Sequence, residues 1–362
     1  MIHLHGVKNP ATEFVFLNNG IVPFKTKRAD FNNKPIIQPK ASEKEKSGFF
    51  SWLIESAKQG SPGKALLNSI AITGTLADGV VKLLLNTDIG FTQKIETLHN
   101  QFLFQPNHTD YFAPPDKKKV TFEEVFIPVP DLNDEVKLHG YYFPAPNAES
   151  TLIYLHGYNG SADEYYPDCL KIQEHIPTNI LLVDYRGFGN SSGNPTRQGV
   201  ITDVLSMHKF LEEKKGLAGK NIFLYGVSLG GAVAFEAASR LRKKIQGVIV
   251  LHPFSSVKDI CKKRYPHIPG FLVMNDLFNS EKLVKELKVP VFIAHGKADE
   301  ATPYEQSIKI FKRASEPKEF CLIENFGHDQ ISAVKPEIIS GYLKALKGFI
   351  GRNIVNQYSF VR

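Results

Sequence analysis

Beyond about residue 120 the hydrophobic pattern alternates between two periods. Short apolar, strand-like runs occur at 151–155, 179–184, 222–225, 246–251, 289–294 and 319–323. Between most of them lie stretches with helical spacing, at about 162–175, 198–215, 230–243 and 304–314, and a last one at 337–350 closes the series. Strand and helix in alternation predict right-handed crossovers, and so an α/β fold with a mostly parallel sheet and helices on both faces. Ahead of this series, 121–129 and 135–143 are strand-like. They are joined through Pro130 and a polar link, which predicts an antiparallel entry hairpin.

The first part of the chain is mixed. Residues 13–17 have the pattern of a strand, Asn and Gly then break it, and the charged run Lys-Ala-Ser-Glu-Lys-Glu-Lys at 40–46 predicts a solvated linker. Phe49, Phe50, Trp52, Leu53 and Ile54 form an apolar cluster, and 64–85 has helical spacing with Leu67, Ile70, Val81 and Leu84 on one face. Two readings compete for residues 49–85: a cover over the core, or a segment in peripheral contact with a membrane interface, anchored by Trp52 and the phenylalanines. A spanning helix is disfavoured by Asp78 and Lys82, since each charge at a bilayer centre costs about 2.5–3.5 kcal/mol. The Pro-rich, charged stretch 112–119 predicts a domain edge near residue 115. The expected organisation is an N-terminal extension at 1–115, a catalytic domain at 116–351 and a tail at 352–362.

Composition narrows the function classes. With 362 residues, 42% hydrophobic and 22% charged, the chain can bury one substantial core and still carry an extension. The net charge of +7 is spread, about +4 over residues 1–118 and +3 over the remainder, with no concentrated basic stripe. Nucleic acid is therefore not an expected partner. Cys169, Cys261 and Cys321 are odd in number and scattered, which predicts neither a disulfide framework nor a zinc site and fits a reducing, cytoplasmic-type compartment. The N-terminal residues lack a basic start followed by a long apolar core, so no secretory signal peptide is expected, and export by another route stays open.

The candidate chemistry centres on Gly226-Val227-Ser228-Leu229-Gly230, directly after a strand and directly before a helix. This is a G-x-S-x-G nucleophile elbow, in which glycines two residues either side of the serine relieve collisions at a sharp turn. Alone the motif is weak; its strand-turn-helix context strengthens it. A nucleophilic serine needs a base, and the base an orienting acid, in the chain order Ser, acid, His. Asp299 follows the strand at 289–294 within His-Gly-Lys-Ala-Asp, with Glu300 a neighbouring alternative and a helix cap the bland reading. His328 follows the last strand within Glu-Asn-Phe-Gly-His, with His252 a rival at an earlier strand end. Asp329 reads as a turn acceptor. The oxyanion hole needs two backbone N–H donors: Leu229 after the nucleophile, and Tyr158 in the loop Leu155-His-Gly-Tyr-Asn-Gly-Ser161. His156 in that loop, and Arg186 in Asp184-Tyr-Arg-Gly-Phe-Gly, read as structural, Arg186 as an internal ion-pair or carbonyl donor.

Across about residues 119–350, through LHGYNGS, DYRGFGNSSG, GVSLGG, HGKAD and NFGH, the chain resembles the α/β-hydrolase-domain (abhydrolase) serine hydrolases. It looks most similar to the minimal-lid branch that includes acyl-protein thioesterases and lysophospholipase-like or esterase-like members. The segment from His252 to Pro290 resembles that branch's short connection and is too short for a large cap. The resemblance implies Ser228 as nucleophile, Asp299 as acid and His328 as base; no metal or organic cofactor is required, and the expected partner is a small-molecule or acylated substrate, of acyl-lipid or acyl-protein type. The expected activity is hydrolysis of a carboxylic ester or thioester. Peptide or amide cleavage is the runner-up, and a binding scaffold that uses the fold without catalysis is the alternative outside the enzyme class. The first 115 residues depart from the family pattern, so membrane anchoring is not implied. Oligomeric state is not legible.

Overall fold

The structure is a computed structural model that describes residues 100, 103–106, 113–130, 135–217, 221–264 and 278–354, together with two backbone strands at 13–17 and 20–24. The apolar cluster and helical stretch at 49–85, and the end of the tail from residue 355, lie outside the described residues. Cys261 is described in its backbone alone. No helix among the described residues is long and apolar enough to cross a membrane.

The strands are β1 (Glu13–Leu17), β2 (Gly20–Phe24), β3 (Glu123–Val129), β4 (Val136–Phe143), β5 (Ser150–Leu155), β6 (Thr178–Val183), β7 (Ile222–Val227), β8 (Gly247–Leu251), β9 (Val291–Gly296) and β10 (Lys318–Ile323). They form one sheet in the order β2-β1-β10-β9-β8-β7-β5-β6-β4-β3. From β6 across to β10 every pairing is parallel, as the alternating pattern predicts. The expected entry hairpin β3–β4 pairs antiparallel, and β4 joins β6 antiparallel. At the opposite edge β1 runs parallel to β10 and turns back antiparallel into β2, so residues ahead of the expected domain edge extend the same sheet. The strand expected at 13–17 is present; β2, with Pro23 inside it, was not anticipated.

The helices are α1 (Ala162–Gln173), α2 (Arg197–Lys214), α3 (Leu229–Leu241), α4 (Val257–Arg264), α5 (Ser280–Glu286), α6 (Glu305–Arg313) and α7 (Pro336–Asn353). The pleat sorts neighbouring residues to opposite faces. Ile153 and Leu155 join Leu224, Val250 and Ile293 beneath α2, α3, α5 and α6. Leu152 and Tyr154 join Phe223, Phe292 and Ile323 against α1 and α7. Both faces of the central strands are thus covered, and each fully buried Leu, Ile, Val or Phe contributes about 1.5–3 kcal/mol. The lid expected between β8 and β9 is short and contains α4 and α5. The free thiols of Cys169 and Cys321 are buried in the core, and burial pushes both thiol pKa values up, Cys321 to about 12.

Chain order decides where a site can form. After β5 the chain passes to β6 on one side and then crosses to β7 on the other, so β5 and β7 are neighbours whose connections leave in opposite directions. A crevice opens beyond the C-terminal ends of strands at such a switch point. The loops after β5, β7, β9 and β10 carry the four candidate groups.

Candidate active site

Ser228 sits between the end of β7 and the start of α3 with φ 54° and ψ −114°, a left-handed conformation that costs a non-glycine residue of order 1–3 kcal/mol. The neighbouring structure holds it there: its N–H donates to Leu251 O at 2.9 Å, and its carbonyl accepts from Gly231 N at 3.0 Å. The flanking glycines are required by distance. A Cβ on Gly226 would lie 2.2 Å from Gly230 O, and one on Gly230 would lie 2.0 Å from Leu155 O. Helix α3 therefore begins against the end of β5, its N-terminal N–H groups directed toward the elbow. The Ser228 side chain is half-buried and makes no capping hydrogen bond to α3, so its hydroxyl is not committed to the helix.

Asp299 is buried and acts as a hub. Its Oδ2 is 2.7 Å from His328 Nδ1, 3.1 Å from His252 Nδ1 and 3.1 Å from His295 Nε2, while Oδ1 accepts from Thr302 N at 2.8 Å. Burial alone would raise its pKa. Hydrogen bonds from His252, His295 and His328 outweigh burial and hold the carboxyl well below the usual carboxylate range. Glu300, the alternative acid, is exposed. His328 is the exposed member of the group, its Nδ1 on the carboxylate.

The acceptors fix the tautomers. An ionised Asp299 only accepts, so His328 carries its proton on Nδ1 and leaves Nε2 free to receive one. His295 Nε2 also faces Thr302 O at 2.7 Å, so that nitrogen is protonated, and Nδ1 accepts from Ser307 Oγ at 2.6 Å. His252 Nδ1 lies 3.5 Å from Gly296 N but closer to the carboxylate. It therefore donates to Asp299, and its Nε2 has no hydrogen-bond partner among the described residues. Burial pulls the His252 pKa down to about 3 despite the carboxylate, so the ring is neutral.

His252, the rival base in the sequence, thus lies against Asp299, with its ring 5.0 Å from that of His328. In sequence His295 is only the first residue of the His-Gly-Lys-Ala-Asp motif. The β8–β9 pairing, with Leu251 beside Ala294, brings His252 just after β8 next to His295 near the end of β9. His252, His295 and Asp299 offer three ligand atoms within 4.8 Å of one another, a spacing that would admit a cation. Hydrogen bonds already account for that geometry. A metal would have to displace protons from both rings and compete with His328 for Asp299.

Tyr158 lies half-buried in the loop after β5, which is held in place by buried polar contacts. His156 Nδ1 donates to Gly157 O at 2.8 Å, Tyr185 Oη donates to His156 O at 3.2 Å, and Ala162 N donates to Asp184 Oδ1 at 2.7 Å. Burial takes His156 down to about 4 and Asp184 up to about 8. His156 is a neutral structural group, as its position suggested. Arg186 forms the internal ion pair expected of it, with Nε 2.9 Å and a terminal nitrogen 2.8 Å from Asp203 Oδ1.

These buried groups set the pH dependence of stability. A histidine whose folded pKa lies below the ordinary 6.5 releases its proton on folding. His156 and His252 therefore cost stability as pH falls from about 6.5 toward 4 and 3. Asp184 has the opposite sign: between the ordinary 3.8 and about 8 the folded state keeps a proton that the unfolded chain has lost, so stability falls as pH rises through that window. Below 6.5 the two histidines outweigh Asp184, with Asp168 and Glu164, whose pKa values burial also raises, offsetting part of that effect toward acid; above 6.5 Asp184 dominates. Stability, read as the thermal midpoint, should be highest near pH 6.5 and fall by up to about 1.4 kcal/mol per pH unit toward pH 8. A scan from pH 4.5 to 8 checks this, and a midpoint that rises steadily to pH 8 would exclude a protonated Asp184.

Comparison with known proteins points the same way as the geometry. A family model described as alpha/beta hydrolase fold matches residues 150–272. The chain is 30% identical over 202 residues to the uncharacterized protein YfhR of Escherichia coli (strain K12), covering 54% of this chain and 70% of that one. It is 27% identical over 212 residues to alpha/beta hydrolase domain-containing protein 17B of Homo sapiens, covering 59% and 70%. Among solved structures, the Pyrococcus furiosus esterase Pf2001 superposes with a TM-score of 0.56 at 22% identity, over 70% of this chain and 99% of that one, a likeness of fold.

Proposed function

The chain belongs to the α/β-hydrolase fold family, and from that premise we propose that it is a serine hydrolase that cleaves a carboxylic ester or thioester through an acyl-enzyme on Ser228. One observation carries the proposal: the 2.7 Å contact of His328 Nδ1 with buried Asp299 Oδ2, at the sheet edge that also carries the elbow serine. With the Nδ1 proton committed to Asp299, His328 Nε2 takes the Ser228 proton as Oγ attacks the carbonyl carbon. The Tyr158 and Leu229 N–H groups receive the charge that develops on the carbonyl oxygen, each such donor worth about 10²–10³ in rate. The imidazolium returns its proton to the leaving alcohol or thiol, and the acyl group stays on Ser228. Water, deprotonated by the same nitrogen, then attacks the acyl-enzyme, and its collapse releases the acid and restores the serine. Asp299 holds the productive tautomer and stabilises the transient imidazolium throughout. Side chains and water balance every step.

The short connection between β8 and β9 supports ester or thioester cleavage over peptide cleavage, because it carries no large domain to gate a chain substrate. The test is a fluorophosphonate probe on the full chain, with the adduct located by peptide mass spectrometry. The expected adduct is on Ser228; an unlabelled protein, or an adduct elsewhere, would sink the proposal. A panel of acyl esters, acyl thioesters and aminoacyl amides then fixes the substrate class. Equal turnover of the amides would favour the amidase reading, and labelling without turnover of any member would favour the scaffold reading.

A further inference from the structure

Between the described hairpin at the sheet edge and the catalytic strands, one short piece of the N-terminal extension docks directly on the oxyanion loop. Leu103 and Phe104 are 5% and 2% exposed and belong to the same core cluster as Leu155 and Leu229. The Phe104 ring meets Phe188 edge-on at 6.5 Å, in the loop after β6, and Phe278 edge-on at 6.4 Å, in the connection that leads into α5. Phe188 in turn lies 5.2 Å from the His156 ring. One residue on, Gln105 N donates to Tyr158 O at 3.0 Å. The segment thus touches three of the loops that surround the elbow, and it makes a backbone hydrogen bond to the residue assigned as an oxyanion donor.

A planar peptide turns as a unit, so a carbonyl fixed on one side fixes the N–H on the other. The peptide that carries the Tyr158 N–H also carries Gly157 O, which His156 Nδ1 holds from inside. The next peptide carries Tyr158 O, which Gln105 N holds from outside. Tyr158 is therefore clamped on both flanking peptides, and the outer clamp comes from a part of the chain ahead of the expected domain edge near residue 115. We infer that residues 103–106 are a positioning element of the oxyanion hole: the inner bond on Gly157 O orients the Tyr158 N–H, and the Gln105 bond, by holding Tyr158 O and with it the Asn159 peptide, restrains the Tyr158 backbone from its other side, so that the extension supports the donor through that residue's backbone. Phe104 is the anchor and the Gln105 backbone is the contact. This rests on the serine hydrolase reading above, and it assigns to the extension a role separate from either covering the core or contacting a membrane.

The experiment uses the full chain and three variants: Phe104→Ala, which removes the anchor; Phe104→Leu, which keeps an apolar anchor; and Gln105→Pro, which removes the donor N–H and keeps Phe104. Wild-type labelling by the fluorophosphonate is the reference, because an unlabelled wild type is a failure of the hydrolase reading and not of this one. On a labelled wild type, Phe104→Ala and Gln105→Pro should lower kcat about 10- to 100-fold with KM changed less than about threefold. Affinity for a boronic acid that mimics the tetrahedral intermediate should fall in parallel, and Phe104→Leu should recover most of the loss. A purely structural anchor would lower the thermal midpoint and leave kcat per folded molecule and boronate affinity unchanged, and that result would overturn the inference. If Phe104→Ala does not fold, Gln105→Pro decides alone: kcat and boronate affinity within twofold of wild type would overturn it.

Discussion

Ser228→Ala should abolish covalent labelling and lower kcat by about 10⁶-fold, while leaving the unfolding midpoint nearly where it was. The size of the loss follows from what one atom does. Without Oγ there is no acyl-enzyme, and only binding and the oxyanion donors remain to assist attack by water. The small cost in stability follows from what the side chain does not do. It makes no capping hydrogen bond to α3 and is half-buried, whereas the strained backbone at φ 54° is held by Leu251 O, Gly231 N and the close approach of Gly230 to β5. Alanine inherits that strain and those restraints. Retention of more than about 1% of wild-type turnover by a well-folded variant would place the nucleophile elsewhere.

The elbow and the proposed acid and base were legible as candidates because each sits where a strand-length apolar run ends. Phe223–Tyr225 and Phe292–Ala294 are apolar at consecutive positions because both faces of their strands are covered, a signal that survives without any knowledge of partners. Strand order was not needed to propose Ser228, Asp299 and His328, since chain order and turn chemistry sufficed. It was needed for His252. In sequence that residue is one more histidine after a strand; only the β8–β9 pairing puts its Nδ1 on the oxygen that also serves His328. Helices α4 and α5 carry little signal in the sequence because they are short and charged, and α5 is set by the Asn279 side chain capping Lys282 N rather than by an apolar stripe. Phe104 was invisible for another reason: a local apolar pair shows that it will be buried, but Phe188 and Phe278 lie far along the chain, and nothing local says against what.

Asp299→Asn should lower kcat about 10⁴-fold, more than its neutral, nearly isosteric shape suggests. The carboxylate accepts at both oxygens, from Thr302 N at Oδ1 and from three imidazoles at Oδ2. An amide has only one acceptor, so either orientation fails somewhere. With its oxygen toward the histidines, its NH₂ group opposes Thr302 N–H, two donors face each other, and an unsatisfied buried group costs about 1–3 kcal/mol. With its NH₂ group toward the histidines, His328 Nδ1 must become the acceptor, and its proton moves to Nε2, the nitrogen that has to receive the Ser228 proton. The base is then present in the tautomer that cannot act. His252 and His295 cannot replace the acid, since both are donors to the same oxygen. The variant should therefore combine a loss in kcat with a lower thermal midpoint, whereas Glu300→Gln, at an exposed neighbour, should change neither by more than about twofold or about 0.5 kcal/mol. If Asp299→Asn kept kcat within tenfold of wild type while Glu300→Gln lost it, the acid would be Glu300, and the three-histidine hub would be a stabilising feature of the strand ends rather than the support of the catalytic base.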